Sequence, residues 1–252
     1  MDIDRLIKQW KKEEEDFNLS GWDFSYLDGR MVSSNPPWEY KAIIKSYLKD
    51  SDILLDMGTG GGEVLLTIGH PYENTYVTEA YAPNFELCMN KLTPLGITVK
   101  KTYEDDKLPF EDNKFNFIIN RHESFDISEV NRTLKHSGYF FTQQVINRNL
   151  YELAEILNGR VLLDNPNHEI EKYANTLTQI GFQVIIKDEV KLPTKFYDIG
   201  AIIFYAKAIP WEISDFAVET HYEKLLIIQN IIEENGFFQA TSGRFLLAAR
   251  KY

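Results

Sequence analysis

Short apolar runs alternate with amphipathic stretches along most of this 252-residue chain. The short runs, several of them rich in β-branched and aromatic residues, predict strands over 53–56, 74–79, 97–101, 115–120, 139–145, 182–190 and 244–250. Apolar residues spaced three and four apart predict helices over 2–17, 38–48, 62–68, 83–92, 127–135, 150–157, 167–180 and 220–234. Helices that alternate with short strands indicate an α/β fold, in which a mostly parallel sheet has helices on both faces.

A glycine-rich loop follows the first of these strands. Asp56 ends the strand, and glycines stand at 58, 60, 61 and 62 before the next helix begins. Glycine lets the chain turn sharply and leaves room for a ligand to approach the backbone. The N-terminus of the next helix offers unpaired N–H groups to electron-rich ligand atoms.

Glu79 closes the second strand of the core, about 20 residues beyond Gly58. Nucleotide-binding folds place the acid that binds both ribose hydroxyls at about this distance. Parallel sheets bind ligands beyond the carboxyl ends of their strands, where Asp56, Glu79, Glu104 or Asp105, and Asn120 are all expected to lie. The sequence therefore predicts one shared nucleotide-type site at this edge.

In its motifs the chain resembles the class I S-adenosylmethionine-dependent methyltransferases, of the kind with a type 11/25-like domain. Motif I corresponds to Asp56-x-Gly58-x-Gly60-x-Gly62, and the acidic position of the second strand corresponds to Glu79. A third motif, with the usual form Asp-Ala-x-x-Leu-Pro-Phe, is similar to residues 104–110. The resemblance spans residues 51–146 and implies S-adenosylmethionine as the cofactor. Its implied cofactor-binding residues are Asp56, Gly58, Thr59, Gly60, Glu79, Ala80, Glu104, Asp105 and Asn120.

The same resemblance refines the expected fold to a Rossmann-like sheet of seven strands, the last antiparallel and inserted between the fifth and sixth. We expect one methyltransferase domain over 1–252. Its parts would be an N-terminal helical cap (1–50), a cofactor-binding core (51–190), a substrate-facing insertion (191–240) and the last strand (241–252).

Catalytic candidates follow directly after Asn120, where the fourth strand meets the reacting methyl group in members of the family. They are Arg121, His122 and Glu123, and a histidine can act as a general base near neutral pH. For the substrate, aromatic and cationic residues of the variable segments are candidates: Trp22, Tyr26, Arg30, Trp38 and Trp211. No pair of histidines has the spacing of metal ligands, so we expect no metal site.

The net charge of −11 argues mildly against a protein that coats nucleic acid. We therefore expect a small-molecule methyl acceptor, with a ribosomal RNA base as the alternative. A protein that binds the cofactor without transferring a methyl group, and a dinucleotide dehydrogenase, are further alternatives. No apolar run approaches the length of a membrane span and no signal-peptide pattern opens the chain, so we expect no membrane partner and a cytoplasmic location.

Overall fold

The computed structural model describes residues 2–19, 23–103, 107–160 and 168–252. The chain divides into two compact units. We call Met1–Asn35, Ile146–Asn167 and Lys191–Gly243 the helix-rich unit, and Pro36–Val145, His168–Val190 and Arg244–Tyr252 the parallel-sheet unit. Each unit has its own cluster of buried apolar side chains.

The helix-rich unit is built around one apolar helix. Its helices are α1 (Ile3–Glu15), α6 (Tyr151–Asn158), α8 (Ile199–Ala208) and α9 (Val218–Asn235). Nine of the ten residues of α8 are buried, and they form the centre of the unit's core. The short strand β1 (Met31–Ser33) pairs antiparallel with the end of β7 (Phe182–Phe196), in the register Met31↔Phe196.

The parallel-sheet unit contains strands and helices in alternation. Its complete strands are β2 (Leu54–Met57), β3 (Thr75–Glu79), β4 (Thr98–Lys101), β5 (Phe115–Arg121) and β6 (Leu134–Val145). Its helices are α2 (Tyr40–Tyr47), α3 (Glu63–Ile68), α4 (Ala82–Lys91), α5 (Ile127–Thr133) and α7 (Ile170–Gln179). Parts of β7 and of β8 (Phe238–Lys251) complete it.

The strand order in this unit is β7-β8-β6-β5-β2-β3-β4. Pairing is parallel from β6 through β5, β2 and β3 to β4, whereas β8 pairs antiparallel with β6. All four residues of β2 are buried, as expected for a central strand of a parallel sheet. The mostly parallel sheet and the antiparallel last strand are therefore confirmed.

The predicted number of seven strands is wrong, because the described residues form eight. The additional strand is β1, in a segment for which the sequence predicted neither a helix nor a strand. Its three residues are half-buried or exposed and show no apolar alternation, so only the partner strand identifies it. The division of the chain into a cap, a core and an insertion stays a prediction.

Among the described residues, no helix is both long enough and apolar enough to cross a bilayer.

Candidate cofactor site

The glycine-rich loop turns tightly at the carboxyl end of β2. The backbone N–H groups of Gly58 and Thr59 both donate to the Thr78 carbonyl, at 3.1 Å. Gly58 and Gly60 have φ angles of +66° and +63°, in the left-handed region that residues with a Cβ rarely adopt. The loop is thereby fixed against β3, the next strand of the sheet.

Glu79 holds this loop through its carboxylate. Oε2 accepts a hydrogen bond from the Gly60 N–H at 2.8 Å, and Oε1 accepts from the N–H groups of Ala80 and Tyr81, each at 3.0 Å. Burial raises the pKa of Glu79, and the three backbone donors oppose that rise. The structure thus brings Glu79, Gly60 and Ala80 together as the sequence predicted, while their contact with a cofactor stays a prediction.

Asp56 is buried at the same edge of the sheet. Its Oδ2 accepts a hydrogen bond from the Thr59 hydroxyl at 2.7 Å. Burial raises the pKa of Asp56 to about 7, against the hydrogen bond from Thr59 and the charge of Arg121, while the charge of Glu79 adds to the rise. Near neutral pH the Asp56 carboxyl is therefore divided between its protonated and ionised forms.

Asn120 braces the strand ends from within the sheet. Its side-chain oxygen accepts hydrogen bonds from the Thr142 hydroxyl at 2.9 Å and from the Gln144 amide, and its amide donates to the Met57 carbonyl at 3.5 Å. The residue is completely buried. Its position at the strand end is as predicted, and these partners give it a bracing role; contact with a cofactor stays a prediction.

Arg121, His122 and Glu123 form the start of the loop after β5. His122 has a φ angle of +60°, and its N–H donates to the Gln143 carbonyl at 2.9 Å. The residue is exposed to solvent. Desolvation, with the charges of Arg121 and Arg244, lowers the pKa of His122.

A small cleft opens beside the glycine loop. The cleft is lined by Met57, Gly58, Thr78, Ala80, Thr102, Leu108, Glu123 and Ser124. Glu123 lies so close to the loop that a Cβ on Gly58 would stand 2.2 Å from its Cγ. Leu108 is fixed by its N–H, which donates to Glu129 Oε2 at 2.7 Å. The loop, β3 and the segment after β5 therefore face one another across this cleft.

Arg132 ties the segment that contains Leu108 to α5. Its guanidinium donates to the carbonyls of Leu108 and Phe110, at 3.1 and 2.7 Å, and to both carboxylate oxygens of Glu129, each at 2.6 Å. Chiefly through these hydrogen bonds from Arg132, the pKa of Glu129 is lowered. The Leu-Pro-Phe motif is thus held rigidly, whereas the two acids before it, Glu104 and Asp105, lie outside the described residues.

The predicted substrate residues fall in different parts of the chain. In the helix-rich unit, the Arg30 guanidinium pairs with Asp198 at 2.6 Å and lies 4.4 Å above the ring of Tyr26. Trp211, in the same unit, is about half exposed. Trp38 belongs to the parallel-sheet unit and donates its indole N–H to Gln143 Oε1 at 2.8 Å. Trp22 lies outside the described residues.

Sequence reasoning missed the polar end of β6. Thr142, Gln143 and Gln144 are all buried beside the candidate residues of β5. A signal was present, because three polar residues lie near the end of the predicted strand 139–145, much as Asp56 and Glu79 end theirs. Parallel neighbours bring such ends to one edge, so the same argument applied to 139–145 would have included them.

Sequence comparison relates the chain to an uncharacterised protein over part of its length. No protein-family model matches the chain. The chain is 26% identical over 170 residues to the uncharacterised protein MJ1252 of Methanocaldococcus jannaschii, and the match covers 64% of this chain and 62% of that protein.

Two solved structures extend the comparison to most of the chain. A functionally unknown protein of Deinococcus radiodurans R1 is similar over 99% of this chain and 98% of its own, with a TM-score of 0.60 and 12% identity. A candidate methyltransferase of Bacillus halodurans C-125 is similar over 84% of this chain and 98% of its own, with a TM-score of 0.55 and 16% identity. The chain therefore shares its α/β fold with proteins that include a candidate methyltransferase.

Proposed function

We propose that this chain binds S-adenosylmethionine at the carboxyl ends of β2, β3 and β5 and transfers its methyl group to an acceptor by in-line displacement. The observation that carries the proposal is the joint placement of Asp56, Glu79 and the glycine loop at one edge of the parallel sheet. The Gly60–Glu79 hydrogen bond couples the loop to the acid directly. The motif resemblance and the shared fold support the same conclusion.

The residues at this edge fit such a cofactor. Glu79 Oε2 has one backbone donor and so retains capacity to accept a ribose hydroxyl. Asn84, in the first turn of α4, is buried; its amide nitrogen has no close hydrogen-bond partner among the described residues, but it lies near enough to Glu79 to lower that group's pKa. An amide nitrogen carries two N–H groups, so Asn84 has donor capacity left for a ligand oxygen.

The remaining contacts follow from the character of each side chain. Ala80 and Leu108 offer apolar surface within the cleft for the adenine ring. Asp56 and the Thr59 hydroxyl, which are hydrogen-bonded to each other, would receive the cationic amino acid part. Glu104 or Asp105 would complete the adenine contact, as the motif resemblance implies.

When bound, S-adenosylmethionine supplies a methyl group that its positive sulfur already activates. The protein's task is then to orient the two partners, because alignment at about 3–3.5 Å provides much of the acceleration in such reactions. Asn120, held by Thr142 and Gln144, keeps the end of β5 in register, so the loop that carries His122 starts from a fixed point. Arg121, His122 and Glu123 are the residues that we propose to face the acceptor.

We propose a small molecule as that acceptor. The net charge of −11 supports this choice, because binding to RNA phosphates relies on a basic surface. The measurement that separates the two classes is the salt dependence of acceptor binding. A weak dependence between 50 and 200 mM salt is expected, whereas a loss of about 1000-fold or more would indicate RNA.

The decisive experiment is a calorimetric titration with S-adenosylmethionine, S-adenosylhomocysteine and NAD in parallel. Micromolar binding of the first two without NAD is expected. In Glu79→Gln, the nitrogen of the amide cannot accept a hydrogen bond, so one loop contact and the charge are lost. Affinity for S-adenosylmethionine should fall by about 10- to 100-fold, which corresponds to about 1.4–2.8 kcal/mol.

Glu73→Gln is the matched control, because this exposed glutamate lies before β3, at the opposite end of the strand from Glu79. It should leave affinity unchanged. Binding of NAD alone would refute the proposal, and an affinity of Glu79→Gln within twofold of wild type would remove Glu79 from the site. Binding of S-adenosylmethionine without turnover of any acceptor would favour the non-catalytic alternative.

A further inference from the structure

Three side chains of the parallel-sheet unit form a hydrogen-bonded series that ends at His122. The Trp38 indole N–H donates to Gln143 Oε1 at 2.8 Å, and Gln143 Nε2 lies 3.4 Å from His122 Nε2. Gln143 is buried, and its backbone carbonyl also accepts a hydrogen bond from the backbone N–H of His122. The side chain of Gln143 is therefore confined between the other two.

The direction of each hydrogen bond follows from what these groups can do. An indole N–H only donates, so the oxygen of the Gln143 amide must face Trp38. The amide nitrogen, which only donates, is then left facing His122. A ring nitrogen that receives a donor must carry its lone pair and no proton. In the neutral imidazole the proton is therefore on Nδ1.

The protonated ring nitrogen of His122, Nδ1, is the one that Gln143 does not contact. Nδ1 makes no hydrogen bond to any of the described residues, and His122 is exposed to solvent. A ligand can therefore reach an N–H donor at this position, whereas the lone pair that a general base requires is on Nε2 and faces Gln143.

We propose that His122 is a hydrogen-bond donor, fixed in its Nδ1–H form by Trp38 and Gln143, and that it binds a lone-pair atom of the methyl acceptor. The part that concerns the acceptor rests on the proposed function. This donor role replaces our expectation that His122 acts as a general base and takes a proton from the acceptor. The acceptor class that fits is a molecule with a carbonyl, carboxylate or ring-nitrogen atom beside a nucleophile that attacks without prior loss of a proton to His122.

This assignment has a direct spectroscopic test that needs neither cofactor nor substrate. Nitrogen-15 NMR of labelled full-length protein at pH 7 distinguishes a protonated ring nitrogen from an unprotonated one, and His122→Gln identifies the signals among the five histidines. We expect a protonated Nδ1 and an unprotonated Nε2. A protonated Nε2, or a ring protonated on both nitrogens, would overturn the proposal.

Trp38→Phe tests the cause of the assignment. Without the indole donor the Gln143 amide is free to turn its oxygen toward His122, and the Nε2–H form should gain population. An unchanged spectrum would show that Trp38 does not fix the ring and would overturn that part of the proposal. Gln143→Leu removes the donor to Nε2 altogether and gives the same readout if Trp38→Phe does not fold.

The contact with the acceptor is tested by replacing His122 with asparagine or glutamine, whose side-chain amides differ in length. Asparagine places its nitrogen close to where Nδ1 stands, and glutamine places it close to Nε2. His122→Asn should therefore turn over the acceptor at least tenfold faster than His122→Gln, and the reverse order would overturn the proposal. Asparagine also tolerates the φ of +60° better, so the thermal stabilities of both variants are compared alongside.

The two hypotheses fail in different measurements. Loss of S-adenosylmethionine binding in the calorimetric titration would refute the proposed function and with it the acceptor contact. A wrong tautomer in the spectrum would refute the role of His122 alone, whatever the titration gives.

Discussion

Replacing Asp56 by asparagine should make the protein more stable at neutral and alkaline pH. Asp56 is buried, and its pKa of about 7 lies well above the ordinary value of 3.8. Asparagine has the shape of the protonated acid and keeps an oxygen that can accept the hydrogen bond from the Thr59 hydroxyl. The substitution therefore removes the titration while preserving the main contact.

The sign and size of this change in the free energy of unfolding follow from the linkage between protonation and folding. Between about pH 4 and 7 the unfolded chain ionises at this position while the native protein stays protonated. A raised pKa in the native state stabilises the protein below the unfolded value, and this stability is lost as pH rises toward 7. A difference of about 3 pH units, each worth about 1.36 kcal/mol, corresponds to about 4 kcal/mol.

The assay is urea denaturation of wild type and Asp56→Asn at intervals from pH 4 to 9, followed by circular dichroism and tryptophan fluorescence. The quantity to compare is the difference in the free energy of unfolding between the two proteins at each pH, because all other titrating groups cancel in it. We expect this difference to shift in favour of Asp56→Asn by about 4 kcal/mol between pH 4 and 7 and to be constant above.

Asp50→Asn is the matched control, since it changes an exposed acid close by in the same unit. The difference in the free energy of unfolding between Asp50→Asn and wild type should not show this change between pH 4 and 7. If the difference for Asp56→Asn varied by less than about 1 kcal/mol from pH 4 to 9, burial would not be raising the pKa of Asp56, and the reasoning would fail.

Two further substitutions test the loop and its support. Gly60→Val places a β-branched side chain at a φ of +63° and disturbs the backbone N–H that donates to Glu79. Calorimetry should therefore detect no binding of S-adenosylmethionine. An affinity within a few-fold of wild type would count against the loop as the cofactor site. Asn120→Ala leaves the buried Thr142 hydroxyl without its acceptor and removes one of the three acceptors of the Gln144 amide. It should lower the free energy of unfolding, measured by urea denaturation, by about 1–3 kcal/mol. A loss below about 0.5 kcal/mol would show that other groups brace these strand ends.

Residues that end predicted parallel strands could be placed from the sequence alone. Neighbouring parallel strands bring their carboxyl ends to one edge, and the register pairs Met57 with both Thr78 and Asn120. Asp56, Glu79 and Asn120 therefore lie together as the alternation of strands and helices predicts. The positive φ angles in the glycine loop were likewise foreseeable, because only glycine adopts them at little cost.

Other features depend on contacts between segments far apart in the sequence. The hydrogen bond from Trp38 to Gln143 joins residues 105 positions apart, so no local pattern shows that Trp38 contacts β6. Helix α8 is apolar on all sides, and such a run gives no period by which to tell a buried helix from a buried strand. Strand β1 exists only through its pairing with β7.

Two buried carboxylates lie near each other in the candidate site. Asp56 and Glu79 are both buried, and the charge of Glu79 contributes to the raised pKa of Asp56. Because desolvation and mutual repulsion disfavour two ionised carboxylates here, their proximity costs the protein stability on its own. A ligand with positive charge would offset the repulsion and stabilise the ionised form of Asp56. Under the proposed function, the sulfonium and ammonium groups of S-adenosylmethionine would supply such charge. Its binding should then lower the pKa of Asp56 and weaken the pH dependence that Asp56→Asn removes.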